Sequence, residues 1–411
     1  MLKVLGSTWA LLLGILLLML GNGMQGTLLG IRGAIENFST TQMSIVMSAY
    51  FLGFLFGSQL APEMIRRVGH VRVFAALGSL ISAVLILYAA APHWIAWSLM
   101  RVLIGFSFSG VYITAESWLN NASTNENRGQ ALSLYLIVQM LGIVLAQLLL
   151  NVADPSGYIL FVIPSILVSL AFTPILLSIS PAPAFDSIRR MSFRTLYETS
   201  PLGCVGMFLL GGIFSAQFGM AAIWATQAQL NVRDLSIFVA SIYVGGLILQ
   251  FPIGWLSDRM DRRTLILSLS IAGTLVLIIP VMFDPPFVIL LIVGALMGGF
   301  SNPLYSLLLA YVNDYLDHSD MASASAGLMF INGLGAISGP IITGWMMGLI
   351  GPSGFFLFMA LLFFALFAYG LWRMIQRPST PHVSGSYTTV SPTSSVYTVE
   401  AAIEFNEDET S

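Results

Sequence analysis

Stretches of about twenty predominantly apolar residues follow one another along almost the whole chain, and each is long enough to cross the hydrocarbon core of a bilayer as an α-helix. Twelve are read from the sequence: 8–31, 41–62, 71–92, 93–118, 128–150, 157–179, 201–227, 235–256, 264–283, 286–313, 321–348 and 353–375. Lipid offers no hydrogen-bond partner to a bare peptide group, so runs of this kind become helices with their backbone bonds closed internally. Only 9% of the residues are charged, against about 25% in a typical soluble domain. The expected fold is an all-α membrane protein. The first run continues through Leu28, interrupted by Asn22 and Gln25 and with no clear cleavage site, so it is read as a transmembrane helix and not as a removed leader.

Basic residues set the orientation of such a chain, because short loops rich in Arg and Lys stay in the cytoplasm. With the N-terminus inside, Lys3, Arg66, Arg67, Arg72, Arg128, Arg189, Arg190, Arg194, Arg259, Arg262, Arg263, Arg373 and Arg377 all fall on the cytoplasmic side. Arg32 and Arg233 fall outside, and Arg101 lies within the fourth span. This bias predicts a multi-pass protein of the plasma (inner) membrane, with an even number of spans and both termini cytoplasmic.

The two halves resemble copies of one another. A shift of 193 residues lays Ser48, Ala49 and Tyr50 over Ser241, Ile242 and Tyr243, and Gly53 over Gly246. The same shift carries Gln139 onto Asn332 and Gly142 onto Gly335. One offset shared by two well-separated helices points to a 6+6 duplication, hence to two pseudo-symmetric six-helix bundles. Transporters built this way bind substrate near the bilayer midplane, between the repeats. The expected organisation is an N-terminal bundle over 1–179, a cytoplasmic connector over 180–200, a C-terminal bundle over 201–377 and a disordered cytoplasmic tail over 378–411. The tail is rich in Ser, Thr and acids, too polar to bury a core of its own.

The eighth span closes on Gly254-Trp255-Leu256-Ser257-Asp258-Arg259-Met260-Asp261-Arg262-Arg263. This resembles the Gly-x-Leu-x-Asp-Arg-x-Gly-Arg-Arg signature of the major facilitator superfamily, with Asp261 where the family usually has glycine. The first-half copy, Arg66-Arg67-Val68-Gly69-His70, has Arg66 at the usual aspartate position, with Glu63 three residues earlier. Glu116-Ser117-Trp118, then Asn127-Arg128-Gly129 and Tyr135, resemble the YcaD-type branch of that superfamily. Asp314 ends the tenth span at the place corresponding to Glu116. The resemblance implies a gating network of Asp258, Arg259, Arg262, Glu116, Arg128, Arg66, Arg67 and Asp314. Charge pairs that differ between two states by a few kcal/mol suffice to move a population. Arginines at these loops also fix orientation, and both readings stand. Glu116 is read as a structural partner of the loop arginines or as a proton-carrying site.

Arg101, in Arg101-Val102-Leu103-Ile104-Gly105, resembles the family's helix 4 signature. Arginine at a span's centre costs about 2.5–3.5 kcal/mol on insertion scales and rarely faces lipid. It is read as facing the cavity, binding an anionic group or tuning a nearby proton site; the alternative is snorkelling or a fixed bond to backbone carbonyls. The uncharged cavity candidates are Asn22, Gln25, Gln139, Gln217, Trp224, Gln227, Tyr243, Asn302, Tyr305 and Asn332. Polar side chains at such depth bond between helices or line water.

No nucleophile–base pair, phosphate-binding loop or His/Cys cluster stands out, so no enzyme, ATP-driven pump, metal or cofactor is expected. A net charge of −3 gives no basic surface for nucleic acid. The expected function is secondary active transport of a small organic solute by alternating access, with H+ as the coupling ion, by a monomer whose other partner is membrane lipid. The rival readings are a gradient-independent facilitator and a non-transporting receptor or assembly factor on the same scaffold. The orientation is testable: reporters fused at Arg377 should read cytoplasmic and reporters in the Asp154–Gly157 loop external. The reverse pattern would invert the topology.

Overall fold

The protein is described by a computed structural model covering the backbone of residues 2–122, 128–176 and 191–376, together with Val390 and Ser395. Among these residues the chain is helical throughout, with no strand. The first six helices are α1 (Leu2–Ile35), α2 (Thr40–Val68), α3 (His70–Ala90), α4 (Trp94–Ala122), α5 (Arg128–Leu149) and α6 (Ile159–Leu176). A short helix, α7 (Phe193–Thr199), precedes α8 (Pro201–Gln227), α9 (Val232–Ser257), α10 (Arg262–Met282), α11 (Phe287–Asn313), α12 (His318–Ile350) and α13 (Ser353–Gln376). Eleven of these are long and apolar enough to cross a membrane, and α6 contributes a shorter apolar stretch from Ile159 to Pro174. The twelve apolar runs of the sequence thus correspond one for one to α1–α6 and α8–α13.

The chain divides into two compact units, Met1–Ser187 with Gln229–Ser236 and Thr393–Ser411, and Ile188–Ala228 with Ile237–Pro392. In the first, α2 packs along α4, α1 packs against α5 and α6, and α3 lies against α4 and α6. In the second, α8 packs along α12, α10 along α13, and α11 against α8 and α10. Of the expected connector, residues 180–190 lie outside the described residues and α7 occupies 193–199. The tail expected to be disordered also lies outside them, except at Val390 and Ser395.

Local chemistry fixes the helix ends. Ser39 accepts from the amide of Gln42 while the Gln42 side chain accepts from the amide of Ser39, a capping box at the start of α2. Gly69, between α2 and α3, sits at φ 86°, ψ 160°, a conformation that glycine adopts without a Cβ penalty. Asp261 caps α10, its carboxylate accepting from the amide of Arg263 at 2.8 Å. The residue that departs from the family signature therefore replaces a flexible glycine with an N-cap. At the opposite end of the first unit, Arg32 pairs with Glu36 and donates to the carbonyls of Pro155 and Gly157 at 3.1 and 3.3 Å, tying α1 to the α5–α6 loop. In that loop the amide and hydroxyl of Ser156, with Arg32 adding a smaller effect, hold the Asp154 carboxyl below the usual carboxylate range.

The duplication is visible as a repeated pair of close crossings. A Cβ on Gly53 would lie 2.0 Å from the Val102 carbonyl oxygen, and one on Gly105 2.0 Å from that of Tyr50. In the second unit a Cβ on Gly245 would lie 1.8 Å from the Ala295 oxygen and one on Gly298 1.9 Å from that of Ile242. The α2–α4 and α9–α11 crossings are thus the same contact, backbone on backbone, as small residues permit in membranes. Gly142 against Leu16 and Gly335 against Phe208 repeat a second one, between α1 and α5 and between α8 and α12.

These approaches predict a sharp contrast among glycines. Gly53→Ala and Gly105→Ala should each force the helices apart and lower the melting temperature in detergent. Gly26→Ala, where a Cβ would meet nothing within 4 Å, should leave it unchanged or raise it slightly through better helix propensity. Equal melting temperatures for all three variants would remove the crossings as a structural constraint.

Candidate functional site

Three helices of the first unit bring polar side chains together around one buried charge. Arg101 on α4 is only 4% exposed. Its Nη1 donates to Gln25 Oε1 on α1 at 3.0 Å, and its Nη2 lies 3.4 Å from the Met47 thioether on α2. The guanidinium carbon sits 4.7 Å from the centre of the Tyr50 ring, a cation–π geometry. Beyond it, Gln25 Nε2 donates to Asn22 Oδ1 at 3.1 Å, and Asn22 Nδ2 donates to the Tyr112 hydroxyl at 2.8 Å. The chain of bonds follows from helix periodicity: Asn22 and Gln25 are three residues apart on α1, Met47 and Tyr50 three apart on α2, and Arg101 and Tyr112 three turns apart on α4. Arg101 Nε is buried without a hydrogen-bond partner, and among the described residues no carboxylate pairs with its charge. Gln139 on α5 is also buried, and its Nε2 has no acceptor.

About 22 Å further along α4, at 1.5 Å per residue, lies a second polar group. Glu116 is 1% exposed. Its Oε1 accepts from the Tyr135 hydroxyl of α5 at 2.9 Å, and its Oε2 from the amide of Ser395 at 2.6 Å. Next to it, His70 Nε2 is 3.1 Å from the Ser117 hydroxyl, and its ring stacks on Trp118 with centroids 6.3 Å apart. Arg128 begins α5, and its side chain lies outside the described residues.

The second unit repeats the polar positions and omits the charge. A shift of 192 carries Gln25 onto Gln217, and a shift of 193 carries Tyr50, Tyr112 and Arg101 onto Tyr243, Tyr305 and Gly294. Gln217 is fully buried; its Oε1 accepts from the Ser301 hydroxyl at 2.9 Å and its Nε2 has no acceptor. Asn302 donates to the Gly298 carbonyl at 3.1 Å, with its Oδ1 buried and unmatched. Tyr243 stacks on Phe218 with centroids 4.9 Å apart, and the buried Tyr305 ring lies 6.4 Å from Phe214. Three further candidates make contacts within the second unit or lie at its surface. Asn332 donates to the Met207 carbonyl at 2.9 Å and fastens α12 to α8. Trp224 packs among Phe238, Phe355 and Phe356. Gln227 is exposed at the last residue of α8.

Of the charges in the signature loops, Arg262 forms an ion pair with Asp314. It also donates to Ser257 Oγ at 3.3 Å and to the Ala310 carbonyl at 3.2 Å, joining the start of α10 to the end of α11. Arg263 donates to the hydroxyls of Tyr311 and Tyr315 at 3.2 and 2.6 Å. Asp258 and Arg259 are exposed, and Arg259 lies over the Trp255 ring at 4.1 Å. Arg66 and Arg67 both pair with Glu63, at 2.6 and 2.7 Å, but on the surface of their own helix, with side chains 61% and 75% exposed. Sequence reasoning missed Met47, Tyr50 and Tyr112 around Arg101, and His70 beside Ser117. The internal repeat carried a signal for Tyr112, since Tyr305 was singled out and is its second-half equivalent; at the helix crossing Tyr50 is matched by Ile242, the neighbour of Tyr243.

Comparison with known proteins places this geometry in context. The family model described as Major Facilitator Superfamily matches residues 11–226 and again 202–398. An uncharacterized MFS-type transporter, YcaD of Escherichia coli (strain K12 / DH10B), is 28% identical over 351 residues, covering 82% of this chain and 88% of that one. Among solved structures, a single-residue mutant of the nucleoside transporter NupG superposes with a TM-score of 0.76 at 15% identity, covering 89% of this chain and 99% of that one. A bacterial homolog of the human lysosomal transporter Spinster, inward-facing and unoccupied, gives a TM-score of 0.66 at 14% identity over 98% of both chains. With family models matched across both halves of the sequence, the chain belongs to the Major Facilitator Superfamily.

Proposed function

We propose that this protein is a secondary transporter that moves a small organic solute by alternating access, and that Arg101 receives an anionic group of that solute. The observation that supports this reading is the state of Arg101 itself. It is desolvated, its neighbours are an amide, a thioether and an aromatic face, and one of its donors is unmatched. A buried charge held by neutral groups is costly, and a planar guanidinium is the side chain best suited to a carboxylate or phosphate. The second unit has Gly294 at the equivalent position, so the charge is a departure from the shared scaffold and not a requirement of it.

In this reading the coupling ion is H+, carried at Glu116, a buried carboxylate within a span, the kind of group on which proton relays in transporters are built. The protein works in the plasma (inner) membrane with both termini in the cytoplasm, and the signature-loop charges bias the equilibrium between its states. The nucleoside transporter and the Spinster homolog resemble it in fold; the solute class is argued from Arg101 alone.

Binding is the direct test. Purified Arg101→Ala and Arg101→Lys chains are compared with the parent by thermal shift and calorimetry against mono- and dicarboxylates, amino acids, sugar phosphates and their uncharged counterparts. An anionic hit should bind at least about tenfold more weakly to Arg101→Ala, with lysine restoring part of the loss. Unchanged affinity in a folded Arg101→Ala protein would remove Arg101 from the solute site. Uptake of the hit into proteoliposomes with and without an imposed pH gradient then separates coupled transport from facilitation.

The signature loops generate a second expectation, on stability. Asp314→Asn removes the charge of a nearly buried pair, which costs about 1.5–3 kcal/mol for a hydrogen bond to a charged group. Replacing Arg66 and Arg67 together by alanine removes only exposed, solvent-screened pairs on one helix, which contribute little. Thermal unfolding should rank the variants in that order; the reverse order would mean that the first-half pairs, and not Arg262–Asp314, hold their end of the bundle.

A further inference from the structure

One edge of the Arg101 guanidinium offers donors to no good acceptor. Gln25 takes Nη1. Along the other edge, Nε is buried and unmatched, and Nη2 faces the Met47 thioether at 3.4 Å, a weak acceptor. A second buried donor belongs to α3. Tyr88 is fully buried, and its hydroxyl has no hydrogen-bond partner. Because α3 ends at Ala90 and α4 begins at Trp94, the two helices run antiparallel, and Trp97 joins them. Its Nε1 donates to the Tyr88 carbonyl at 3.0 Å, and the two rings meet edge-on with centroids 5.9 Å apart. Arg101 lies one turn further along α4. Helical side chains tilt toward their own N-terminus, which carries the Tyr88 phenol along α4 from Trp97 toward Arg101. Among the described residues, Tyr88 and Tyr50 are the titratable side chains within electrostatic reach of Arg101, and neither has a second cation in reach.

We infer that Tyr88 is a specificity-determining residue of the solute site: its hydroxyl and the Nε–Nη2 edge of Arg101 form a subsite for one carboxylate group. The inference rests on the reading that Arg101 receives an anionic group, and it narrows that group. Nε, Nη2 and the phenol match a carboxylate, whose two oxygens accept up to about four hydrogen bonds. Two parallel bonds from a guanidinium edge are the favoured geometry of an arginine–carboxylate pair. One cation balances one negative charge, so a bound carboxylate leaves the buried site neutral. The second negative charge of a phosphate monoester would be left unpaired in an apolar interior, at high cost. Tyrosine suits this place because a phenol keeps its proton at neutral pH and so adds a donor without adding a charge.

The test uses the full-length chain in detergent. Tyr88→Phe removes one oxygen and leaves the ring against Trp97. Without ligand this variant should melt at the temperature of the parent or above it, because an unmatched buried hydroxyl stabilises nothing. A lower melting temperature would assign the hydroxyl a structural bond and overturn the inference. Binding is then measured by thermal shift and calorimetry. The probes are aliphatic, aromatic, amino and sugar monocarboxylic acids, each beside its carboxamide, and phosphate monoesters. An acid should bind the parent, with its carboxamide and the phosphate monoesters weaker. Tyr88→Phe should bind that acid at least about tenfold more weakly, the loss expected for a hydrogen bond to a charged group. An acid that Tyr88→Phe binds as tightly as the parent, while Arg101→Ala loses it, would overturn the role of Tyr88 and leave Arg101 as the anion receptor. Phosphate monoesters as the tighter class would overturn the carboxylate assignment and likewise spare Arg101. An acid retained by Arg101→Ala, or a parent that binds neither class, would remove the reading of Arg101 and this inference with it.

Discussion

The close approach of backbone to backbone where α2 crosses α4 sets the geometry on which the rest of the first unit depends. Gly53 faces the Val102 carbonyl and Gly105 faces the Tyr50 carbonyl, so the residues adjoining these glycines are forced into register. That register brings Tyr50 over Arg101 and Met47 to within reach of its guanidinium. Side chains with a Cβ at those two positions would widen the crossing and pull the aromatic face from the charge. Membrane helices have little hydrophobic drive to associate with one another, so packing of this kind carries much of their association. The arrangement of the polar groups is therefore a by-product of how closely two helices can lie.

Duplication supplied the scaffold twice, and function is most readily sought where the copies diverge. The equivalent crossing in the second unit is closed by Gly245 and Gly298, with Ile242 in the place of Tyr50 and Tyr243 beside it, and the positions of Gln25 and Tyr112 are occupied there by Gln217 and Tyr305. A shared set of amides and hydroxyls is present in both copies. Under the 193-residue offset, the guanidinium of Arg101 and the carboxylate of Glu116 fall on Gly294 and Leu309, and the second copy carries its acid further along, at Asp314. An unlike pair of charges set into one half of a pseudo-symmetric frame makes the two halves chemically distinct while leaving their packing alike.

Much of the fold could be read directly, because each apolar run of the sequence is one helix and the lipid allows little else. The site was readable only in part, for reasons that differ by residue. Arg101, Gln25 and Asn22 stood out because polar groups are conspicuous in apolar helices. Tyr50 and Tyr112 did not, although the tyrosines Tyr243 and Tyr305 of the second half did, because nothing in composition tells which tyrosine in a span meets a charge. Asn332 and Trp224 show the opposite failure: composition marks a polar or amphipathic side chain without its direction, and these two turn toward the Met207 carbonyl and a cluster of phenylalanines. Asp261 departs from the signature's glycine, and its carboxylate caps α10. Contacts made by main-chain amides, like that of Ser395 with Glu116, leave no trace in composition.

That Glu116 accepts from a main-chain amide, that of Ser395, also bears on how the protein would change over time and in the hands of the experimenter. A contact that ignores side-chain identity tolerates drift at the residue that makes it, so long as no imino acid falls on the bonding position. Proteolysis after Gln376, the usual remedy for a polar extension that hinders crystallisation, would take Ser395 with it. The trimmed protein would be a different sample, one whose buried carboxylate has lost a hydrogen-bond donor.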